Sequence, residues 1–144
     1  MKENFSYKFV DFLISVHQVT DELIKEYKPE DLTPIQFKIM QYIGVNHPVT
    51  LSELSDCLQI SMPNTSRELK KLIEKGLCEK TVDVEDRRKQ YIRLSEKGKT
   101  IINEAFASIE NRFHDRIKNL SEKGIEEVRQ ALKVLHDKVF DSDL

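Results

Sequence analysis

No tryptophan occurs in this chain of 144 residues, and glycine and proline are held to four each. So few turn-formers argue against a loop-rich or all-β architecture and leave helix formers dominant. Cysteine is nearly absent too. Cys57 and Cys78 stand far apart, forming neither an even disulfide framework nor a Cys-x-x-Cys metal or redox pair. His17, His47, His114 and His136 are scattered with no His-x-x-x-His spacing, so only helix packing in a dimer would unite His17 and His114 with a carboxylate. No cofactor and no metal are expected. A Gly-rich phosphate loop, a nucleophile motif and a recognisable acid pair are likewise missing, which leaves an enzyme without parts. No apolar run approaches membrane length, and the first residues lack the apolar region of a signal peptide. The expectation is a cytoplasmic protein with no membrane partner.

What the sequence does hold is a balance of apolar (39%) and charged (33%) residues, enough for a folded core. The net charge of −2 does not by itself announce a nucleic-acid partner. Its distribution says more. Between Ser61 and Gln90 lie eight Lys/Arg and six Asp/Glu, a local +2 that leaves −4 for the rest. A positive segment on an acidic background suits one face presented to phosphate, although so small a difference also describes an ordinary solvated surface.

Along the chain, Phe5, Phe9, Phe12, Val16, Val19 and Leu23 recur at spacings of three and four, predicting a helix from Phe5 to Tyr27 with an aromatic stripe. Such a stripe near a chain end implies burial against another helix or another chain. Thr33-Pro34-Ile35-Gln36 is a capping box with proline at the first helical position, opening a helix through Phe37, Ile39, Met40 and Ile43 to about Asn46, where His47-Pro48 stops it. A second capping box, Thr50-Leu51-Ser52-Glu53, opens a short helix through Leu54 and Leu58. After a turn at Gln59-Ile60, Ser61 caps the next helix, which ends at Gly76 in a left-handed cap. The period then changes. Leu77 to Val84 and Gln90 to Leu94 are strand-like, separated by the polar tip Glu85-Asp86-Arg87-Arg88-Lys89. Helical spacing returns at Ser95 through Ile101, Ile102, Ala105, Ile109, Phe113 and Ile117; after Leu120-Ser121 a last helix carries Ile125, Val128, Leu132, Leu135 and Val139, much like a coiled-coil seam.

Four helices, a hairpin and two helices make a mainly α fold with a small β-hairpin wing (α+β). Residues 32–94 match a winged helix-turn-helix pattern, with residues 1–31 and 95–144 as additional outer helices. A helix-turn-helix reads DNA when its second helix turns a polar face to the major groove and packs the other on the core. In the helix from Ser61, helical geometry puts Met62, Thr65, Leu69, Leu72 and Ile73 on one face and Pro63, Asn64, Arg67, Lys71 and Glu74 on the other. Asn64 suits adenine, Arg67 suits guanine and Lys71 suits phosphate. The plain alternative is the solvated face of an amphipathic helix. The hairpin weighs against that alternative. Asp86-Arg87-Arg88-Lys89 sets three cations in a row at the tip of a ribbon, where an arginine can enter a narrow minor groove and Asp86 can orient the Arg88 guanidinium by a bidentate bond. An isolated hairpin of this kind would be a salt-bridged surface turn; directly after a reading helix it is a wing.

At these residues the sequence resembles the multiple-antibiotic-resistance regulator (MarR) family of bacterial transcription factors, most clearly from Leu32 to Gly98. Leu32-Thr33-Pro34-Ile35-Gln36-Phe37 is similar to the start of the family's second helix and Leu51-Ser52-Glu53-Leu54 to its third. Ser66-Arg67 with Leu72-Ile73-Glu74-Lys75-Gly76-Leu77 resembles its recognition helix and exit, and Asp86-Arg87-Arg88, five residues, then Leu94-Ser95, its wing signature; Ser95 stands where Thr is commoner. The resemblance implies a triangular α/β homodimer with interlocked terminal helices, its paired wings straddling a pseudo-palindromic operator in double-stranded DNA. DNA-binding residues are then Ser61, Pro63, Asn64, Ser66, Arg67, Lys70, Lys71, Asp86, Arg87, Arg88 and Lys89. It also implies a repressor released by a small, often aromatic or anionic, effector held between the dimer and the DNA-reading parts.

Two other readings remain. Some relatives sense oxidants through a cysteine in the first helix, but this first helix has none; Cys57, between Leu54 and Leu58, reads as a small core side chain, and Cys78 opens a strand. A winged helix whose exposed face docks on protein is the other, and it predicts no salt-dependent affinity for DNA.

Overall fold

The computed structural model describes residues 4–27, 29 and 31–141. Helices α1 (Phe5–Tyr27), α2 (Pro34–Asn46), α3 (Leu51–Leu58) and α4 (Met62–Glu74) precede strands β1 (Cys78–Val82) and β2 (Gln90–Leu94), then helices α5 (Glu96–Ile117) and α6 (Glu122–Leu135) and a π-helical turn at His136–Phe140. The last helix expected from the apolar spacing thus changes hydrogen-bond pattern at His136, short of Val139. No described helix is long and apolar enough to cross a membrane. By contacts the chain divides into two compact units, residues 1–107 and 108–144.

In the first unit the helix boundaries follow from side chains that satisfy the free backbone donors of a first turn. The Gln36 backbone N–H donates to Thr33 Oγ1 (3.3 Å) while the Thr33 N–H donates to Gln36 Oε1 (3.2 Å). Thr50 and Glu53 repeat this reciprocal pair at 3.2 and 3.3 Å. Ser61 Oγ accepts from the Asn64 N–H (3.2 Å). Between α3 and α4 the chain reverses at Gln59, whose φ of 53° is left-handed, and a buried polar knot holds the turn. Ser55 Oγ donates to the Ile60 carbonyl (2.8 Å) and lies 3.2 Å from Thr65 Oγ1, which donates to the Ser61 carbonyl (2.9 Å). Every buried hydroxyl there has a partner, so the angle between the two helices is fixed by bonds as well as by packing.

Gly76, at φ 73°, turns the chain out of α4 into the hairpin. β1 and β2 pair antiparallel from Cys78↔Leu94 to Val82↔Gln90. The strand expected to reach Val84 ends at Val82; the Asp83 N–H still donates to the Lys89 carbonyl (3.0 Å), and beyond it side-chain carboxylates cap the turn. Asp83 Oδ1 accepts from the Glu85 N–H (2.9 Å) and Asp86 Oδ1 from the Arg88 N–H (3.0 Å). Unforeseen in the sequence, Val49 bridges Ile92, exchanging backbone bonds of 3.2 and 2.7 Å, so the stretch before α3 extends the sheet by one residue. The core beneath includes Phe37, Ile39, Met40, Leu54, Leu72 and Ile102. At the start of α5 the backbones nearly touch: a Cβ on Gly98 would lie 2.2 Å from the Leu77 carbonyl oxygen. Ser95 locks this junction, donating to the Gly76 carbonyl (2.6 Å) and accepting from the Gly98 N–H (3.0 Å). No described residue of the second unit is buried.

Candidate nucleic-acid interface

Helix α4 carries two faces. Thr65, Leu69 and Leu72 are buried in it, while Pro63, Asn64, Ser66, Arg67, Lys70 and Lys71 are exposed, as is its cap Ser61. The outward face expected from helical spacing is therefore formed, with Glu74 exposed at its end. Met62 departs from expectation: placed inward by its spacing, it is 46% exposed, since it occupies the first helical position, where the core does not reach.

The outward polar groups are not independent. The Arg67 guanidinium donates to Asn64 Oδ1, one turn earlier. The bond holds the arginine beside the amide, with the Asn64 NH2 and the remaining guanidinium N–H groups left to meet acceptors from outside. Lys71 Nζ lies 3.4 Å from Glu68 Oε1, tethered to a neighbour on its own helix. A donor-rich surface on a helix whose other face is locked into a core is the arrangement that base-edge acceptors and phosphate oxygens require.

At the wing, Arg87, Arg88 and Lys89 are all exposed and Asp86 is half-buried. A single oxygen, Asp86 Oδ1, accepts from both the Arg88 backbone N–H (3.0 Å) and Arg88 Nε (3.3 Å). The contact expected to be bidentate through the guanidinium is thus made through Nε and the main chain. The terminal NH2 groups remain available on a side chain that is 92% exposed. On the strands, Arg93 pairs with Glu79 directly across the ladder at 3.0 Å.

The cysteines part company. Cys78 is buried as the first residue of β1, and burial pushes its thiol up to about 12. Cys57, expected as a core side chain, is exposed. The inward face of α3 is centred between Leu54, Ser55 and Leu58, and Cys57 lies about 105° around the helix from that centre. Partial desolvation still raises its thiol above the ordinary value, and burial, together with Cys57 and Glu53 nearby, raises the Tyr42 hydroxyl. His17 and His114 each pair within their own helix, with Asp21 (3.2 Å) and Glu110 (3.8 Å). Among the described residues no group of three His, Cys, Asp or Glu side chains could hold a metal ion.

Within the second unit, α6 and the end of α5 flank an open apolar groove of about 580 Å³, lined by Phe113, Ile117, Ile125, Val128 and Leu132 with His114, Lys118 and Arg129 among its polar residues.

Residues 30–89 match a family model described as the MarR family. The HTH-type transcriptional regulator TcaR of Staphylococcus aureus is 27% identical over 132 residues, covering 89% of this chain and 86% of that protein. A solved MarR family protein from Bacillus stearothermophilus aligns with a TM-score of 0.80 over 98% of this chain and 99% of its own, at 23% identity. Streptococcus pneumoniae FabT, solved in complex with DNA, gives a TM-score of 0.71 over 94% of this chain and 98% of its own, at 21% identity. At those identities the two structural matches show the fold.

Proposed function

Because this chain belongs to the MarR family of winged helix-turn-helix transcriptional regulators, which are not enzymes, we propose that it binds double-stranded DNA as a homodimer and represses transcription until a small effector releases it. The observation that carries the reading is the outward face of α4, where Asn64, Arg67, Lys70 and Lys71 stand exposed on a helix whose inward face is locked into the core. In this reading that face enters the major groove, Ser61, Pro63 and Ser66 meet the backbone beside it, and Arg87, Arg88 and Lys89, with Asp86 orienting Arg88, reach the adjacent minor groove. Residues 32–94 form the DNA-binding region. Residues 1–31 and 95–144 supply the dimer, whose two reading helices fall on half-sites of a pseudo-palindromic operator about one helical turn, roughly 34 Å, apart. The effector is a small aromatic or anionic molecule, and the protein works in the cytoplasm, where its DNA is.

Fluorescence anisotropy with a duplex selected from a random-sequence pool tests this reading. Affinity falls steeply as salt rises, because cationic side chains release counterions from phosphate. Arg88→Ala weakens binding to every duplex, whereas Asn64→Ala also relaxes preference among bases, by about 1–3 kcal/mol at the position it reads. Salt-independent binding, or two variants indistinguishable from wild type, would overturn the assignment and favour a protein partner for the same face.

A further inference from the structure

Two capping boxes open consecutive helices in this chain, and they differ in one atom type. Glu53 closes the box at α3 with a carboxylate, which can only accept. Gln36 closes the box at α2 with an amide, which accepts through Oε1 and keeps an NH2 to donate. Helix capping needs only the acceptor. The structure shows where the donor goes: Gln36 Nε2 donates to Glu68 Oε2 on α4, at 3.0 Å.

That contact belongs to a larger node. Gln36 is 2% exposed, a polar side chain at a core position. Its Oε1, already accepting from the Thr33 N–H at 3.2 Å, also accepts from Lys75 Nζ at 3.3 Å. Lys75 Nζ donates in addition to the Asp31 carbonyl just before α2. Glu68 and Lys75 are seven residues apart, two helical turns, so they share one face of α4 and its exit. One amide on α2 therefore grips the same face of the next-but-one helix at two heights. Such a grip opposes both rotation of α4 about its axis and sliding along it. The second Glu68 oxygen holds Lys71 at 3.4 Å, one of the outward cations.

We propose that Gln36 is a positioning residue for DNA reading: through Glu68 and Lys75 it sets the rotation of α4 about its own axis, and through Glu68 it holds Lys71. The proposal rests on the DNA-reading role assigned above to α4. It explains the amide at residue 36. A glutamate there caps α2 equally well but turns a carboxylate toward the Glu68 carboxylate, replacing a hydrogen bond by repulsion.

A swap tests it in the full-length chain. Gln36→Glu keeps the capping box and the acceptor for Lys75 and loses one strut, the bond donated to Glu68. The double variant Gln36→Glu/Glu68→Gln restores the bond with donor and acceptor exchanged, since the amide NH2 now on α4 donates to the carboxylate now on α2. All variants are compared at a temperature where circular dichroism shows them folded. Two readouts are taken: amide hydrogen exchange along α4 without DNA, and affinity for a duplex that wild type selects from a random pool, relative to a scrambled duplex. Gln36→Glu is expected to speed exchange in α4 and to lower the selected-to-scrambled affinity ratio about tenfold, the loss of one such bond. The double variant returns both toward wild type, and Glu68→Gln alone, whose amide carbonyl still accepts from Gln36, changes the ratio less than about threefold. Unchanged exchange in Gln36→Glu, or a double variant as impaired as the single one, overturns the strut. Altered exchange with an unaltered affinity ratio reduces Gln36 to a stabilising contact and overturns its positioning role. If wild type selects no duplex, the DNA-reading role itself falls, while the exchange data still decide whether the strut exists.

Discussion

From Leu32 to Ser95 the apolar side chains that a helical or strand register turns inward are covered, Met62 at the start of α4 excepted: Leu32, Ile43, Leu54, Leu72 and Ile92 are each 2% exposed or less. Along α6 the register is as regular, yet Ile125, Val128, Leu132 and Leu135 yield no buried residue, and Leu132 is 56% exposed. Helix α1 repeats this. Phe9 and Phe12 lie with ring centroids 6.5 Å apart and planes tilted by 31°, while Phe5 is 84% and Val16 44% exposed. The patterning is alike in the two regions and its outcome is opposite. An amphipathic stripe records that a face is to be covered; it does not record by which surface. In the winged helix the chain supplies the cover itself. Apolar faces left open on each of the terminal helices are what a surface for a second copy offers, and this supports the homodimer of the proposed function.

Core truncation gives the largest expected effect and sets the scale. Leu72→Ala, removing a fully buried side chain of α4, is expected to cost about 2–5 kcal/mol in urea unfolding. Leu132→Asp on α6 sharpens the contrast. If α6 faces only water, the substitution leaves stability within about 0.5 kcal/mol, as surface changes do. If it faces a second copy, a carboxylate is buried without a partner, and sedimentation equilibrium shows association about 100-fold weaker while circular dichroism is unchanged. The second outcome is expected. A wild-type chain that sediments as a monomer at micromolar concentration would remove the comparison altogether, since the open stripes would then need no cover.

The winged helix was legible because its signals are local. Capping boxes at Thr33 and Thr50, the cap at Ser61 and the left-handed Gly76 each lie within four residues of what they determine, and all four stand where the sequence places them. The outward face of α4 was legible for the same reason, helical spacing being a local rule. What the sequence hid depends on distance. Val49 pairs with Ile92, forty-three residues away; a single bridging residue after a proline has no period to betray it. Gln36 reaches Glu68 and Lys75 across similar gaps. Its only trace was a glutamine in an inward position, already explained by the capping box. Cys57 was misplaced by reading its neighbours along the chain instead of around the helix: Leu54 and Leu58 turn inward with Ser55 beside them, and Cys57 lies off that face.

The smallest effects separate the two cysteines, which sort by the same criterion of cover. At Cys78 the folded thiol stands at about 12 against an ordinary 9.0, because the buried thiolate is desolvated. The raised value adds stability that is fully present below about pH 9 and is lost as pH climbs from there to about 12, since the unfolded chain then releases a proton that the folded chain retains. Urea unfolding between about pH 8 and 11 is expected to show this decline in wild type and a shallower one in Cys78→Ala. Cys57 lies on the exposed side of α3, so Cys57→Ser is expected to shift stability by less than about 0.5 kcal/mol. A disulfide reagent at neutral pH then modifies one thiol per folded chain, slowly because the Cys57 thiol is itself raised, and reaches the second only on unfolding. Two reactive thiols in the folded protein would mean that β1 opens readily at Cys78. That would weaken the contrast at its firmest point, since Cys78 closes the hairpin against Leu94.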